Sequence, residues 1–285
     1  MAVEPLVGLS DVRFGYGNNQ VLDSVSFEVG REEIVVIVGP SGCGKSTTLN
    51  LVAGLLPCQN GKIEVGGRPP GNPDIVLGYM FQDLRLLPWK SVIDNVAFGL
   101  AARRVSENER LSVAKRYIDL LGLTGFEKHY PNRLSGGMQQ RVCIGRAFAM
   151  NPDLLLMDEP FKSVDAQLRL YLLELFSNIW QRSPKGVIFV THDTQEAVLL
   201  GDRIIVYTKR PVRVKATFEI DRPQSMRKAT DPDLRDTEAQ ILALLYEERA
   251  ALPNTLEDED KEGVQIEQEI ECHAVGNGLS TSLSV

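Results

Sequence analysis

The sequence predicts an α/β domain built on a parallel sheet, and three observations carry that expectation. Three short apolar runs, residues 34–38, 154–157 and 187–190, are bounded by turn or polar residues, the pattern of strands buried on both faces and covered by helices. Between the first and second runs the sequence turns mostly helical over about residues 83–150. The first run also leads directly into a glycine-rich turn and a helix-compatible stretch that ends near Gly54.

In chain order, Val25-Ser26-Phe27-Glu28-Val29 and Lys62-Ile63-Glu64-Val65 alternate with period two, as half-buried antiparallel strands do, and together predict a small β-layer. Ser106-Glu107-Asn108-Glu109 fits a capping box, whose hydroxyl and carboxylate satisfy the free amides of a helix start; that helix is expected to run to about Leu121, before Gly122. A second box, Thr237-Glu238-Ala239-Gln240, predicts the start of an amphipathic helix with Ile241, Leu244, Leu245 and Leu252 on or near one face, docked on the body. The expected organisation is a body over residues 1–252, with the helical insert at about 83–150 and a C-terminal helical extension at about 221–252, followed by an acidic, disordered tail over 253–285.

The chain has 285 residues, 43% hydrophobic and 24% charged, the balance of a globular protein with a real core. Its longest apolar run is the six residues 241–246, against roughly 18 or more for a membrane span. Met1-Ala2-Val3-Glu4-Pro5 shows neither the basic nor the apolar region of a secretory signal, so a cytoplasmic location is expected. Cys43, Cys58, Cys143 and Cys272 are scattered without a paired spacing; the expectation is buried small apolar residues, not disulfides or zinc. The segment from Pro253 onward carries the whole net charge of −7, and the neutral body offers no basic surface to follow a phosphate backbone, which argues against nucleic acid as a partner.

Gly39-Pro40-Ser41-Gly42-Cys43-Gly44-Lys45-Ser46-Thr47 follows the first buried run and precedes a helix, the context in which a G-x-x-x-x-G-K-[ST] pattern forms a phosphate-binding loop. Its glycines let successive amides turn inward, and the helix N-terminus adds partial positive charge. Lys45 is expected to reach the β and γ phosphates and the Ser46 hydroxyl to ligate Mg2+. Asp158 and Glu159 end the second run, on the sheet edge where that loop lies. Asp158 is placed to hold the metal ion and Glu159 to take a proton from attacking water; the alternative is that one of them merely caps the turn at Pro160. His192, just past the third run, falls on the same edge; a lone histidine there is as readily structural, but beside the loop and the acids it reads as a γ-phosphate contact or an orienter of water and Glu159. Leu134-Ser135-Gly136-Gly137-Met138-Gln139-Gln140-Arg141 opens another helical stretch, expected to run to about Met150, and offers a hydroxyl and exposed amides as a second anion nest. One chain would then hold two phosphate-binding surfaces, which a head-to-tail pair of subunits could bring to each nucleotide.

At these residues the chain resembles the nucleotide-binding subunits of ABC transporters, over about residues 5–215. The resemblance implies a P-loop NTPase core of the ABC ATPase type with the small antiparallel layer and helical insert described above, ATP and Mg2+ as ligands, and ATP hydrolysis. Residue by residue, Tyr16 matches the aromatic that stacks on adenine, with Phe14 the alternative. Gly39 to Thr47 match the Walker A loop, and Gln82 the glutamine that meets Mg2+ and the nucleophilic water and links the site to the membrane partner. Ser135, Gly136, Gly137 and Gln139 match the signature motif that acts on the opposite subunit's ATP. Asp158, Glu159 and His192 match the Walker B aspartate, the catalytic glutamate and the switch histidine, and Asp165 the dimer-contacting loop. One departure is Lys162, in Lys162-Ser163-Val164-Asp165, where the family usually has a small residue; it bears on turnover and dimer geometry.

The stretch from Leu86-Leu87-Pro88-Trp89 to Val96, with Met157-Asp158-Glu159-Pro160-Phe161 and Arg222-Pro223, resembles the nitrate, sulfonate and taurine import branch. That implies a peripheral subunit on the cytoplasmic face of the inner membrane. Its partners would be a second copy or a paralogous ATPase subunit, transmembrane permeases and, indirectly, a periplasmic solute-binding protein. Residues 86–89 are then expected to fill a socket on the permease, with ordinary core packing as the alternative. Two other functions stand beside this one: a soluble ABC-type ATPase acting as scaffold or clamp without a permease, and a small-molecule P-loop kinase, which needs neither the Ser135 nest nor a switch histidine.

Overall fold

The computed structural model describes residues 4–250. Along them run β1 (Val7–Tyr16), β2 (Asn19–Val29), β3 (Ile34–Val38), α1 (Lys45–Val52), β4 (Asn60–Val65), β5 (Leu77–Met80), α2 (Val92–Ala102), α3 (Glu107–Leu120), α4 (Gly136–Ala149), β6 (Leu154–Asp158), α5 (Ala166–Arg182), β7 (Gly186–Thr191), α6 (Thr194–Leu200), β8 (Arg203–Tyr207), β9 (Val214–Glu219) and α7 (Pro232–Ala250). The strands form two sheets, a three-stranded antiparallel layer in the order β2-β1-β4 and a six-stranded sheet in the order β5-β6-β7-β3-β8-β9, parallel except for β9.

The three apolar runs are β3, β6 and β7, at the centre of the larger sheet, and their side chains divide between two cores as a period of two requires. Ile34, Val36 and Val38 of β3, Leu155 and Met157 of β6, and Val187 and Phe189 of β7 pack toward the helices. Val35, Ile37, Leu154, Leu156, Ile188 and Val190 pack toward α1 and the antiparallel layer. The register sets Val38 beside Thr191 and Asp158 beside Val190. Gly39, Glu159 and His192 therefore leave the sheet side by side on one edge.

The two alternating segments lie in β2 and β4, each paired with β1 and not with each other. The Ser106 hydroxyl accepts from the Glu109 amide and α3 ends at Leu120, close to the expected stop. The C-terminal helix corrects its expected start. It begins at Pro232, five residues before Thr237, because proline's fixed φ suits the first turn of a helix. The Thr237 hydroxyl donates instead to the Asp233 carbonyl of the same helix. Ile241 is fully buried, with Leu244 and Leu245 packed against the core, while Leu252 lies outside the described residues. Cys43 and Cys143 are buried, but Cys58 is exposed in the turn before β4, against expectation, with its thiol donating to the Asn60 carbonyl. Cys272 and the acidic segment 253–285 lie outside the described residues.

Candidate active site

The loop from Gly39 to Gly44 is shaped by backbone that side chains would obstruct. Gly44 has φ +133, and a Cβ there would fall 2.7 Å from Val21 Cγ1 of β2. Lys45, 5% exposed, starts α1 and donates to the Gly39 carbonyl at 2.9 Å and the Pro40 carbonyl at 3.0 Å, closing the loop into a ring around its ammonium. Ser46 is exposed on the first turn, and Thr47 is buried behind it. Ser41 and Gly42 are exposed, whereas Cys43 is buried and its thiol is held up by that burial, so it is a packing residue with no nucleophilic character. The contact of Gly44 with β2 brings the β1–β2 hairpin near the loop; Tyr16 stands half-buried at its tip, edge-on to Phe14 at 5.0 Å, and Phe14 itself is buried.

Opposite the loop, the Ser46 hydroxyl donates to Asp158 Oδ1 at 3.0 Å. Burial pushes the Asp158 carboxyl up, the Ser46 hydrogen bond opposes this, and the charge of Glu159 adds to it. Glu159 behaves differently. Burial again pushes upward, but hydrogen bonds from His192 and Lys162 and the nearby Lys45 charge outweigh it and hold this carboxyl at about 2. His192 Nδ1 lies 3.0 Å from Glu159 Oε2, Lys162 Nζ 3.1 Å from the same oxygen, and Lys45 Nζ 4.0 Å from Oε1. Glu159 has φ +41, a left-handed conformation that costs a non-glycine residue of order 1–3 kcal/mol. It is held there by its N–H donating to the Val190 carbonyl at 2.9 Å. The bend turns the carboxylate off the line of β6 toward His192. Two adjacent acids thus sit in opposite environments, one suited to a cation and one kept ionised among cations.

Ser135 caps α4, its hydroxyl accepting from the Met138 amide at 3.3 Å. The Gln139 side-chain amide donates to the Pro131 and Leu134 carbonyls, so both residues bond within their own segment rather than to the Gly39–Gly44 loop. Gly136 has open space around it, but a Cβ on Gly137 would fall 2.8 Å from Leu168 Cδ2 of α5. This close approach brings the Ser135 turn next to Asp165, which caps α5 by accepting from the Leu168 amide at 2.9 Å. The Ser135 turn and the Asp165 turn therefore lie side by side, with Ser135, Gly136 and Asp165 exposed. Gln82, exposed, follows β5 by two residues, and β5 pairs Met80 with Met157, next to Asp158.

Several positioning residues have no local sequence signal. Arg146 of α4 donates to the Arg85 carbonyl at 2.7 Å and the Leu84 carbonyl at 2.9 Å, tying the segment after Gln82 to the helix that starts at Ser135. Asn95, fully buried, accepts from the Leu87 amide and donates to the carbonyls of Leu87, Lys90 and Ser91. That bracing leaves Trp89 71% exposed, so the tryptophan is not a core residue. Arg169 of α5 pairs with Asp193, the cap of α6, and lies 3.5 Å from the buried Glu196, joining the helix after Asp165 to the turn after His192.

A family model described as ABC transporter matches residues 22–162. An uncharacterized ABC transporter ATP-binding protein of Methanocaldococcus jannaschii is 43% identical, over 82% of this chain and 88% of its own length. A taurine import ATP-binding protein of Rhizobium johnstonii is 44% identical, over 84% of this chain and 92% of its own. Among solved structures, the dimeric post-hydrolysis state of an ATP-binding cassette bound to ADP and Pi matches with a TM-score of 0.65 at 31% identity, covering 75% of this chain and 98% of that one.

Proposed function

Because the chain belongs to the ABC transporter ATP-binding family and is an ATPase of that family, we propose that it energises an importer for a small anion such as nitrate, a sulfonate or taurine, splitting ATP in sites shared by two cassettes. The convergence of the Gly39–Gly44 ring, Ser46 with Asp158, and Glu159 with His192 on one sheet edge carries the chemistry of this reading. Lys45 and the loop amides bind the phosphates, with Tyr16 against the base. Glu159 takes the proton of the attacking water while His192 holds the carboxylate and the water in line. The Ser135–Gly137 nest, with Gln139 and Asp165 beside it, faces the γ-phosphate of the partner's nucleotide. Closure adds those amides and excludes water, so hydrolysis follows dimerisation.

A magnesium ion fits this edge. Ser46 and Asp158 present a hydroxyl and a carboxylate 3.0 Å apart, the hard oxygen donors such an ion takes. Among the described residues no group of three or more His, Cys, Asp or Glu gathers to hold a metal, which suits an ion carried mainly by phosphate oxygens. Ser46, Asp158 and Gln82 would hold it, and when bound it offsets the negative charge that builds on the phosphates.

The importer reading draws on the taurine import relative and on Trp89, which Asn95 braces outward beside Gln82's segment where a permease helix can receive it. A peripheral place on the cytoplasmic face of the inner membrane, with permease subunits, a second ATPase copy or paralogue, and a periplasmic binding protein acting indirectly, follows from that role. No helix among the described residues is long and apolar enough to cross a membrane. Neither relative nor the solved cassette favours the scaffold alternative. Glu159→Gln tests the reading: steady-state phosphate release should fall by about 10²- to 10⁴-fold, the usual contribution of a general base, with ATP binding kept. Near-normal turnover removes Glu159 from the role.

A further inference from the structure

The turn joining β6 to α5 lays a lysine on the general base. Lys162 Nζ and His192 Nδ1 meet the same oxygen, Glu159 Oε2, at 3.1 and 3.0 Å. A carboxylate oxygen accepts about two hydrogen bonds, so Oε2 has no lone pair left for a water, while Oε1, 4.0 Å from Lys45 Nζ, keeps its own and the restraint is partial. The backbone is tied at the same point, with the Lys162 N–H donating to the Glu159 carbonyl at 3.2 Å. The turn is short and its ends are fixed. Phe161 is fully buried, Val164 packs against the same core, and Asp165 caps α5. Lys162 and Asp165 are the exposed charged groups of this turn, one facing the base and the other lying on the surface that carries the Ser135 nest. Asp165 lies three residues from Lys162 on this turn, so a partner that engages Asp165 comes within reach of the Lys162 ammonium.

We propose that Lys162 is a positioning residue that restrains Glu159 in the separate subunit, filling Oε2 until a second copy of the chain, docking beside Asp165, draws the flexible ammonium away and frees that oxygen for water. This inference rests on the reading of Glu159 as the base. The Lys162 side chain is 44% exposed, a setting in which an ion pair is weak and yields to salt, so the restraint is small and reversible, as a release on contact requires.

The test uses the full chain with Lys162→Ala, Lys162→Arg and Glu159→Gln, reading steady-state phosphate release against protein and salt concentration. At low protein concentration Lys162→Ala should raise the apparent kcat by about two- to fivefold, because pairing two copies no longer has to break a weak, partly exposed ion pair, while KM for ATP stays within about twofold. Its specific rate should depend less on protein concentration than that of the unaltered chain. Lys162→Arg, which keeps a cation, should return most of the restraint. Added salt should speed the unaltered chain toward the alanine variant and leave that variant's rate nearly flat. A kcat for Lys162→Ala that is unchanged or lower, or an arginine variant that matches alanine, overturns the proposal. If the alanine variant melts early, Lys162→Gln, neutral and of similar length, carries the same comparison. Glu159→Gln separates the two readings: if it turns over normally, the base assignment fails and the restraint with it; if it is inactive while the lysine variants change nothing, only the restraint fails.

Discussion

Glu196→Gln probes a carboxyl that the fold keeps near its protonated form. Glu196 sits in the first turn of α6, 2% exposed, with the Thr191 hydroxyl donating to Oε2 at 2.5 Å and Arg169 Nε 3.5 Å from Oε1. Burial pushes this carboxyl up to about 7, the Thr191 hydrogen bond opposing, the Asp193 charge adding and Arg169 opposing. The folded state thus binds this proton more tightly than the unfolded chain, whose carboxyl titrates near the ordinary 4.5. Between those two values the folded state carries more protons, so this group's contribution to stability is present below about 4.5, falls as pH rises, and is gone above about 7. At about 1.4 kcal/mol per pH unit, the gap between 4.5 and 7 sets a ceiling of about 3 kcal/mol. In Glu196→Gln the amide oxygen still accepts from Thr191 and nothing titrates. Urea unfolding from pH 5 to 8 should therefore show the variant gaining about 1–3 kcal/mol on the unaltered chain as pH rises. A difference that stays constant across that range, or that shrinks, refutes burial as the dominant influence on this carboxyl.

Two further substitutions test the loop and the surface. Gly44→Ala sets a Cβ 2.7 Å from Val21 Cγ1 at φ +133, and should weaken ATP binding by at least about tenfold and cost about 1–3 kcal/mol, read by nucleotide titration and thermal melting. Trp89→Ala removes a side chain that is 71% exposed, so the melting temperature should stay within about 2 °C while co-purification with a membrane permease is lost. A large loss of stability instead would return Trp89 to the core.

The central strands and the phosphate loop are legible in the sequence because each depends on local pattern: β3, β6 and β7 need apolar residues on both faces, and the loop needs glycines at fixed offsets. β1 escapes the same reading because Asp11, at φ +49, interrupts its alternation and register shifts follow. β5 has four residues, one of them Gly78, whose Cβ would fall 2.7 Å from Leu155 Cδ2; glycine reads as a break although close packing requires it. The start of α7 is misread because a capping-box spacing at Thr237 lies inside a helix already begun by Pro232. At the candidate site, the residues to which we assign the chemistry fall at strand ends and helix starts, where spacing points to them. Their supports do not: Arg146 reaches carbonyls about sixty residues away, and Arg169 meets Asp193 and Glu196 from another helix. Such contacts exist only once the chain has folded. Lys162 is visible as an unusual charge, but its hold on Glu159 becomes apparent only when the turn is seen in three dimensions.

The claim on which the mechanism turns is that nucleotide is held between two copies. Light scattering on the Glu159→Gln chain, with and without Mg-ATP, measures this most directly. The account predicts one copy without nucleotide, two copies with it, and a return to one copy when Ser135→Arg is added to the same chain. A single copy under every condition, together with an unaltered chain whose specific ATPase rate does not change with its own concentration, would contradict it.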